Sequence, residues 1–314
     1  MLECQNGRRA TRRTDFRERV NMAVWCFGSV NVDHVYRVPH LPLPGETLAA
    51  TAYEVALGGK GANQSVAAAR AGAEVHHVGA VGADGADAIA QLEGFNVGCA
   101  GIQRLDGPTG HAIILLDSGG ENSIVLHPGA NRALSLDAAS AALQGAGLDD
   151  ILLLQNETAH QPEIARAAMG QGMEVIYSAA PFDIDAVRAV LPYVTTLVMN
   201  AVEAAQLQAA LDTEFEDLPV EAVVVTRGAQ GASWHARGTD EIHVPALPTT
   251  VLDTTGAGDC FTGALAAALS TGRDAQEAME FAAAAAAIQV SRSGTTAAMP
   301  TRAEIEALLQ EART

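Results

Sequence analysis

Aromatic side chains are scarce in this chain of 314 residues, at 4%, although apolar residues make up 48% of it. Core volume must then come from aliphatic side chains, and the abundant alanine predicts helices packed closely on small residues. Long apolar runs are also missing. No stretch of about 18 residues lacks polar breaks, so no membrane-spanning helix is expected. Positive charge is in deficit: 19 Lys and Arg stand against 37 Asp and Glu, a formal net charge of −18. That balance argues against nucleic-acid and anionic-membrane partners. An anionic substrate stays open, because backbone dipoles bind phosphate locally. Cysteine is limited to Cys4, Cys26, Cys99 and Cys260, with no CxxC spacing. Structural zinc and a disulfide framework are therefore not expected. Reduced thiols and a cytoplasmic location are.

The first 21 residues differ from the rest. "GRRATRRTDFRER" is Arg-rich but has no apolar core, so it is not a secretory signal. Glu3, Asp15 and Glu18 count against a transit peptide. Residues 1–21 read as a disordered tail or as extra residues upstream of a start at Met22, with one domain over 22–314.

"AVWCFGSV" (23–30) reads as a buried parallel strand. Residues 35–57 carry prolines and partial alternation, which predicts two half-exposed antiparallel strands. "ANQSVAAARAGA" (62–73) is a helix closed by Gly72. "EVHHVGAVG" is a strand and "DGADAIAQLEGF" a helix. Residues 110–129 form a hairpin around Ser118, Gly119 and Gly120. From 131 onward strands at 150–155, 174–179, 196–200 and 222–228 alternate with helices, and three helices close the chain. This is the rhythm of a parallel sheet covered on both faces, an α/β fold. The β-rich stretches at about 33–57 and 97–127 interrupt it twice and read as one small sheet.

Several motifs carry chemistry. "GGKGANQ" (58–64) puts three glycines around Lys60 at a helix start. It fails the P-loop pattern, because Gly61 rather than Ser or Thr follows the lysine. It is a flexible turn, or a place where a ligand reaches bare backbone beside Asn63 and Gln64. In "GSVNVDH" (28–34), Asn31 and Asp33 alternate at the end of a buried strand and so share one face. They suit a polyhydroxylated ligand, and suit an Asx-turn as well. "GAVGADG" (79–85) misses the dinucleotide fingerprint and reads as a turn. Glu157 follows an apolar strand, at the edge where such sheets bind ligands. In "NAVE", Asn200 and Glu203 are either an N-cap with a first-turn acid or a pair orienting magnesium-bound waters. In "DTTGAGDCF" (253–261), Gly256 and Gly258 let N–H groups converge at the positive end of a helix, an anion hole. Asp259 sits where a hydroxyl loses its proton while attacking a phosphoryl group.

Taken together these residues resemble the ribokinase-like sugar kinase family. The likeness runs from about 24 to about 302, on "GSVNVDH", "PGET", "GGKGANQSVAAARAGA", "VGADG", "GENSIVLHPGAN", "NAVE", "TRGAQGA" and "DTTGAGD" in that order. It implies a three-layer α/β/α core with a mostly parallel sheet and a small β-sheet lid that also forms a homodimer contact. It implies transfer of a phosphoryl group from ATP to the primary hydroxyl of a sugar, D-ribose foremost. By motif position Asn31, Asp33, Gly59, Lys60, Asn63 and Glu157 hold the sugar. Asp259 is the base, with the Gly256, Ala257, Gly258 and Asp259 N–H groups as the anion hole. Asn200 and Glu203 position Mg2+ through water, and Thr226, Gly228 and Gly231 line the nucleotide site. A monovalent cation, K+, is implied on Asp253 and on carbonyls near Thr255 and Gly294.

The chain departs from the family's pattern mainly on the nucleotide side. Ala201 stands for an acid, and the segment between Glu203 and Thr226 is short. Ala283 stands near the adenine where a polar residue is common, and Ala298 where a hydroxyl often completes the cation shell. Cys260, beside the base, reads as a small filler. Two other readings follow: a kinase of the same family acting on a nucleoside, another pentose or a ketohexose, or a sugar-binding regulatory protein with weak or no ATP use.

Overall fold

The computed structural model describes residues 22–313; the reading of residues 1–21 as a tail lies outside them. Nine strands form one sheet, in the order β13-β12-β11-β10-β9-β8-β1-β4-β5. Its centre is β1 (Val24–Phe27) between β4 (Val75–Val81) and β8 (Ile151–Gln155). From β1 the chain runs one way through β4 to β5 (Val97–Arg104). From β8 it runs the other way through β9 (Glu174–Ser178), β10 (Thr196–Asn200) and β11 (Ala222–Thr226). These strands are parallel; β12 (Ala232–Ala236) and β13 (Ile242–Val244) add an antiparallel edge.

The central strands β1, β8 and β11 are almost wholly apolar because both their faces are covered. Val24, Cys26, Ile151 and Leu153 enter one core, and Trp25, Phe27, Leu152 and Leu154 the other. The first core lies under α1 (Lys60–Arg70), α2 (Ala86–Gly94), α7 (Ala257–Ser270), α8 (Ala275–Val290) and α9 (Arg302–Ala312). The second lies under α3 (Leu136–Ala142), α4 (Gln161–Gln171), α5 (Ile184–Val190) and α6 (Ala201–Leu211). The expected three layers are present.

A separate four-stranded sheet has the order β3-β2-β6-β7, from β2 (Asn31–Arg37), β3 (Ala52–Gly58), β6 (Gly110–Leu116) and β7 (Asn122–His127). The lid differs from the reading at 97–127: residues 97–104 are the edge strand β5 of the large sheet, and only 110–127 join the lid. The edge strand β5 and the lid strand β6 are both partly exposed, so their patterns look alike. The strand expected over 23–30 also stops early. Gly28 turns the chain out of the large sheet, since a Cβ there would lie 2.5 Å from the Gly61 Cα. Asn31 and Asp33 therefore begin a lid strand rather than ending a core strand.

Candidate active site

Strand order reverses between β1 and β8, and such a switch point opens a crevice at the carboxyl ends of the strands. Ser29 follows β1 and donates its hydroxyl to Glu157, two residues past β8. Glu157 Oε2 also accepts the Lys60 backbone N–H at 3.0 Å. Lys60 opens α1, whose N-cap is Gly59 at φ 89°. Glycine is required there by conformation and by space: a Cβ would lie 3.0 Å from Ser29 O.

The lid strand β2 adds Asn31 and Asp33 to the crevice. Asn31 is buried, and its Oδ1 accepts from Asn131 Nδ2 at 2.8 Å. Asn131 also accepts the Val30 N–H at 3.0 Å, so it fixes the turn between the two sheets. Burial, with the Glu157 charge adding to it, pushes the Asp33 carboxyl up to about 6.

Asp259 is buried on the first turn of α7. Asn63 Nδ2 donates to its Oδ2 and Gln64 Nε2 to its Oδ1, both at 3.0 Å. Gln64 is held in turn by Gln155 Nε2 at 2.8 Å. Asn63 Oδ1 remains buried with no protein partner. Lys60 is the only lysine of the chain. Its pKa is raised, chiefly by the charge of Asp259, against burial and with help from Glu157 and Glu203.

Gly256 takes φ 77° ahead of α7. The Ala257 N–H donates to Thr254 O at 3.2 Å, which leaves the N–H groups of Gly256, Gly258 and Asp259 free of backbone partners. Of the four N–H groups expected to form an anion hole, three are open donors and that of Ala257 is not. A Cβ on Gly258 would meet nothing within 4 Å, so packing does not demand glycine there. The space opens into a cavity of about 430 Å³ that runs past Ala257, Thr226, Gly228 and Gly231 to Ala283 on α8. Gly231 is needed for the fold itself: at φ 88°, a Cβ would lie 2.0 Å from Val244 O.

Asn200 and Glu203 form a complete capping box on α6. Asn200 Oδ1 accepts the Val202 and Glu203 N–H groups at 2.9 Å, and Glu203 Oε2 accepts the Asn200 N–H at 2.8 Å. The cap uses one oxygen of Glu203 and leaves the other without a hydrogen bond. Burial raises the Glu203 pKa, and Lys60 opposes it. Thr226 lies opposite Asn200 in the β10–β11 ladder.

The sequence profile of the pfkB family carbohydrate kinases matches residues 22–302. The chain belongs to this family. The pfkB kinase is 36% identical over 301 residues to the ribokinase of Haemophilus influenzae, covering 91% of this chain and 97% of that one. The crystal structure of ribokinase from Thermotoga maritima superposes with a TM-score of 0.83 at 34% identity, over 92% of this chain and 99% of that one. Arabidopsis thaliana ribokinase complexed with ribose and ATP superposes equally well, at 0.83 and 31% identity, over 93% and 99%. The protein is a sugar kinase with a ribokinase fold.

The residues expected from the sequence to hold a monovalent cation also lie together in this pfkB kinase. Asp253 accepts the Thr255 and Gly294 N–H groups at 2.9 and 3.0 Å. The carbonyls of Thr255 and Gly294, however, both accept from Gln289 Nε2. Among the described residues, no group of three or more His, Cys, Asp or Glu is placed to hold a metal.

Sequence reading missed the residues that position others. Gln64 was visible beside Asn63, but its bond to Asp259 spans 195 positions. Ser29, Asn131 and Gln155 act the same way. His77 is buried, and burial pushes it down to about 4, so it stays neutral. Its Nε2 donates to Gly28 O at 3.2 Å, and its Nδ1 accepts from Ser65. That pair supports the turn at Gly28. Leu247 and Val251 line the cavity from the segment after β13, where "PALPTTVL" was the overlooked signal. Cys260 is buried and its thiol pushed well up, in keeping with a filler.

Proposed function

We propose that this kinase transfers the γ-phosphoryl group of ATP to the primary hydroxyl of D-ribose, giving D-ribose 5-phosphate and ADP. The observation that carries the reading is Asp259, a buried carboxylate held on both oxygens, between a polar crevice and an open cavity. The relatives named ribokinase support ribose as the sugar, as does the relative bound to ribose and ATP.

In this reading Asp33 and Glu157 accept sugar hydroxyl protons, while Asn31 and Lys60 donate. Gly59 keeps the backbone close to the sugar. Asn63 gives the sugar its unpartnered Oδ1, which otherwise stays buried at a cost of about 1–3 kcal/mol. Asp259 keeps lone pairs beyond the two amide bonds and takes the proton of the attacking hydroxyl. The new oxygen–phosphorus bond forms as the bond to the bridging oxygen of ATP breaks. The N–H groups of Gly256, Gly258 and Asp259 steady the charge that develops. The nucleotide lies along Thr226, Gly228 and Gly231. Asn200 and the free oxygen of Glu203 suit water-mediated Mg2+, which neutralises phosphate charge when bound.

The kinase acts as a homodimer joined through its lid. Large apolar side chains exposed there, including Tyr53, Val55, Ile124, Val125 and Leu126, support this. Cys26, Cys99 and Cys260 are free thiols, in keeping with the cytoplasm.

The test is ADP release with Mg-ATP over D-ribose, 2-deoxyribose, fructose, adenosine and fructose phosphates. Turnover highest on D-ribose is expected. Preference for another member would reject ribose and keep the kinase.

A further inference from the structure

Gln289 occupies the last turn of α8 and is fully buried. Its Nε2 donates to Thr255 O at 2.7 Å and to Gly294 O at 3.2 Å. These are the two carbonyls that the family likeness assigns to a monovalent cation. Two carbonyl oxygens converging on one point need a cation or a donor between them. A carboxamide NH2 carries two donors and meets both. Turning the amide over would set its oxygen against two oxygens, so the acceptors themselves fix its orientation.

The surroundings agree. Asp253 already accepts two N–H groups, from Thr255 and Gly294, which join the same two strands of chain. Ala298 is buried and supplies no hydroxyl where the family often has one. Leu252 and Asp253 donate to Val290 O at 2.8 and 3.2 Å, hanging the same turn from the end of α8. Thr255 adjoins Gly256, and the Cβ position of Gly256 lies 3.4 Å from Thr295, the neighbour of Gly294. The Gln289 amide therefore ties the loop of the anion hole to the loop after α8, without an ion.

We infer that the Gln289 carboxamide replaces the monovalent cation of this family, so that the kinase needs no K+. The residues offer a cation less than the family pattern does: the Gln289 amide already donates to both carbonyls, the Asp253 carboxylate already accepts two backbone N–H groups, and a hydroxyl ligand is replaced by Ala298, while the Gln289 Oε1 stays buried without a partner. The inference rests on the proposed phosphorylation of D-ribose for its rate readout, and on melting for a second readout that needs no substrate.

The experiment compares potassium chloride with choline chloride at equal ionic strength, on enzyme freed of K+. Wild type should turn over at the same rate in both and show one melting temperature. Gln289→Ala should lose about 10²-fold in choline, the order of effect of a misplaced catalytic loop. Potassium should restore its rate and raise its melting temperature, because an ion bound only to the folded state stabilises it. Strong K+ activation of wild type, or a K+-dependent rise in its melting temperature, would overturn the inference. So would a Gln289→Ala variant as active in choline as wild type. Failure of kinase activity altogether would leave the melting comparison to decide.

Discussion

Asp33 shows how a residue proposed to bind the sugar strains its own fold. Its pKa rises from 3.8 to about 6 because burial and Glu157 both disfavour the charge. A carboxyl raised on folding costs stability above its folded pKa, and the cost is relieved as pH falls toward the unfolded value. Two units correspond to about 3 kcal/mol, and solvent screening at this partly exposed group cuts that to about 1–2 kcal/mol. Asp33→Asn should therefore melt higher than wild type at pH 8, with the gap closing toward pH 5. The same variant should bind sugar about tenfold more weakly or worse, because it loses a charge-assisted hydrogen bond. Equal melting curves at pH 8 would contradict this. At this scale much of the candidate site was legible. Asn31, Asp33, Lys60, Asn63, Glu157 and Asp259 were all visible as chemistry looking for a place. Gln155 and Gln289 were not, and Gln64 was noted only as the neighbour of Asn63, because a glutamine gains its meaning from a partner far away in the chain.

Close helix packing sets the geometry around Asp259, the proposed base. At Gly263 on α7 a Cβ would lie 2.4 Å from Gln64 O and 2.6 Å from the Ala67 Cβ, both on α1. The same approach brings Asn63 and Gln64 to Asp259. Gly263→Ala should therefore push the two helices apart, at about 1–3 kcal/mol. It should also lower kcat, since the amides that hold Asp259 move with α1. Thermal melting and initial rates check both, and a variant matching wild type in each would contradict the claim. Element types read well from the sequence, since buried strands and alanine-rich helices have clear patterns. Boundaries read less well. α1 starts at Lys60, two residues before the expected helix, because the positive φ of its Gly59 cap leaves no periodic trace. The strands β12 and β13 were not foreseen at all, being short and half exposed.

The whole molecule combines a buried parallel core with an exposed sheet. Strand order reversal puts Ser29 and Glu157 at one crevice, and the lid brings Asn31 and Asp33 over it. That arrangement was legible only through family likeness, because no local pattern says which strands are neighbours. β7 is exposed along its full length, and Ile124 and Leu126 alternate onto one face of it. Ile124→Glu with Leu126→Glu should convert a dimer to a monomer by light scattering, with melting of the core little changed. A wild-type monomer would contradict the assembly. The central claim is that Asp259 removes the sugar's proton. Its most direct test is the turnover of Asp259→Asn on D-ribose with Mg-ATP, beside ribose binding measured by calorimetry. The account predicts a rate lower by about 10²–10⁴-fold with binding largely kept. Near-normal turnover would contradict it.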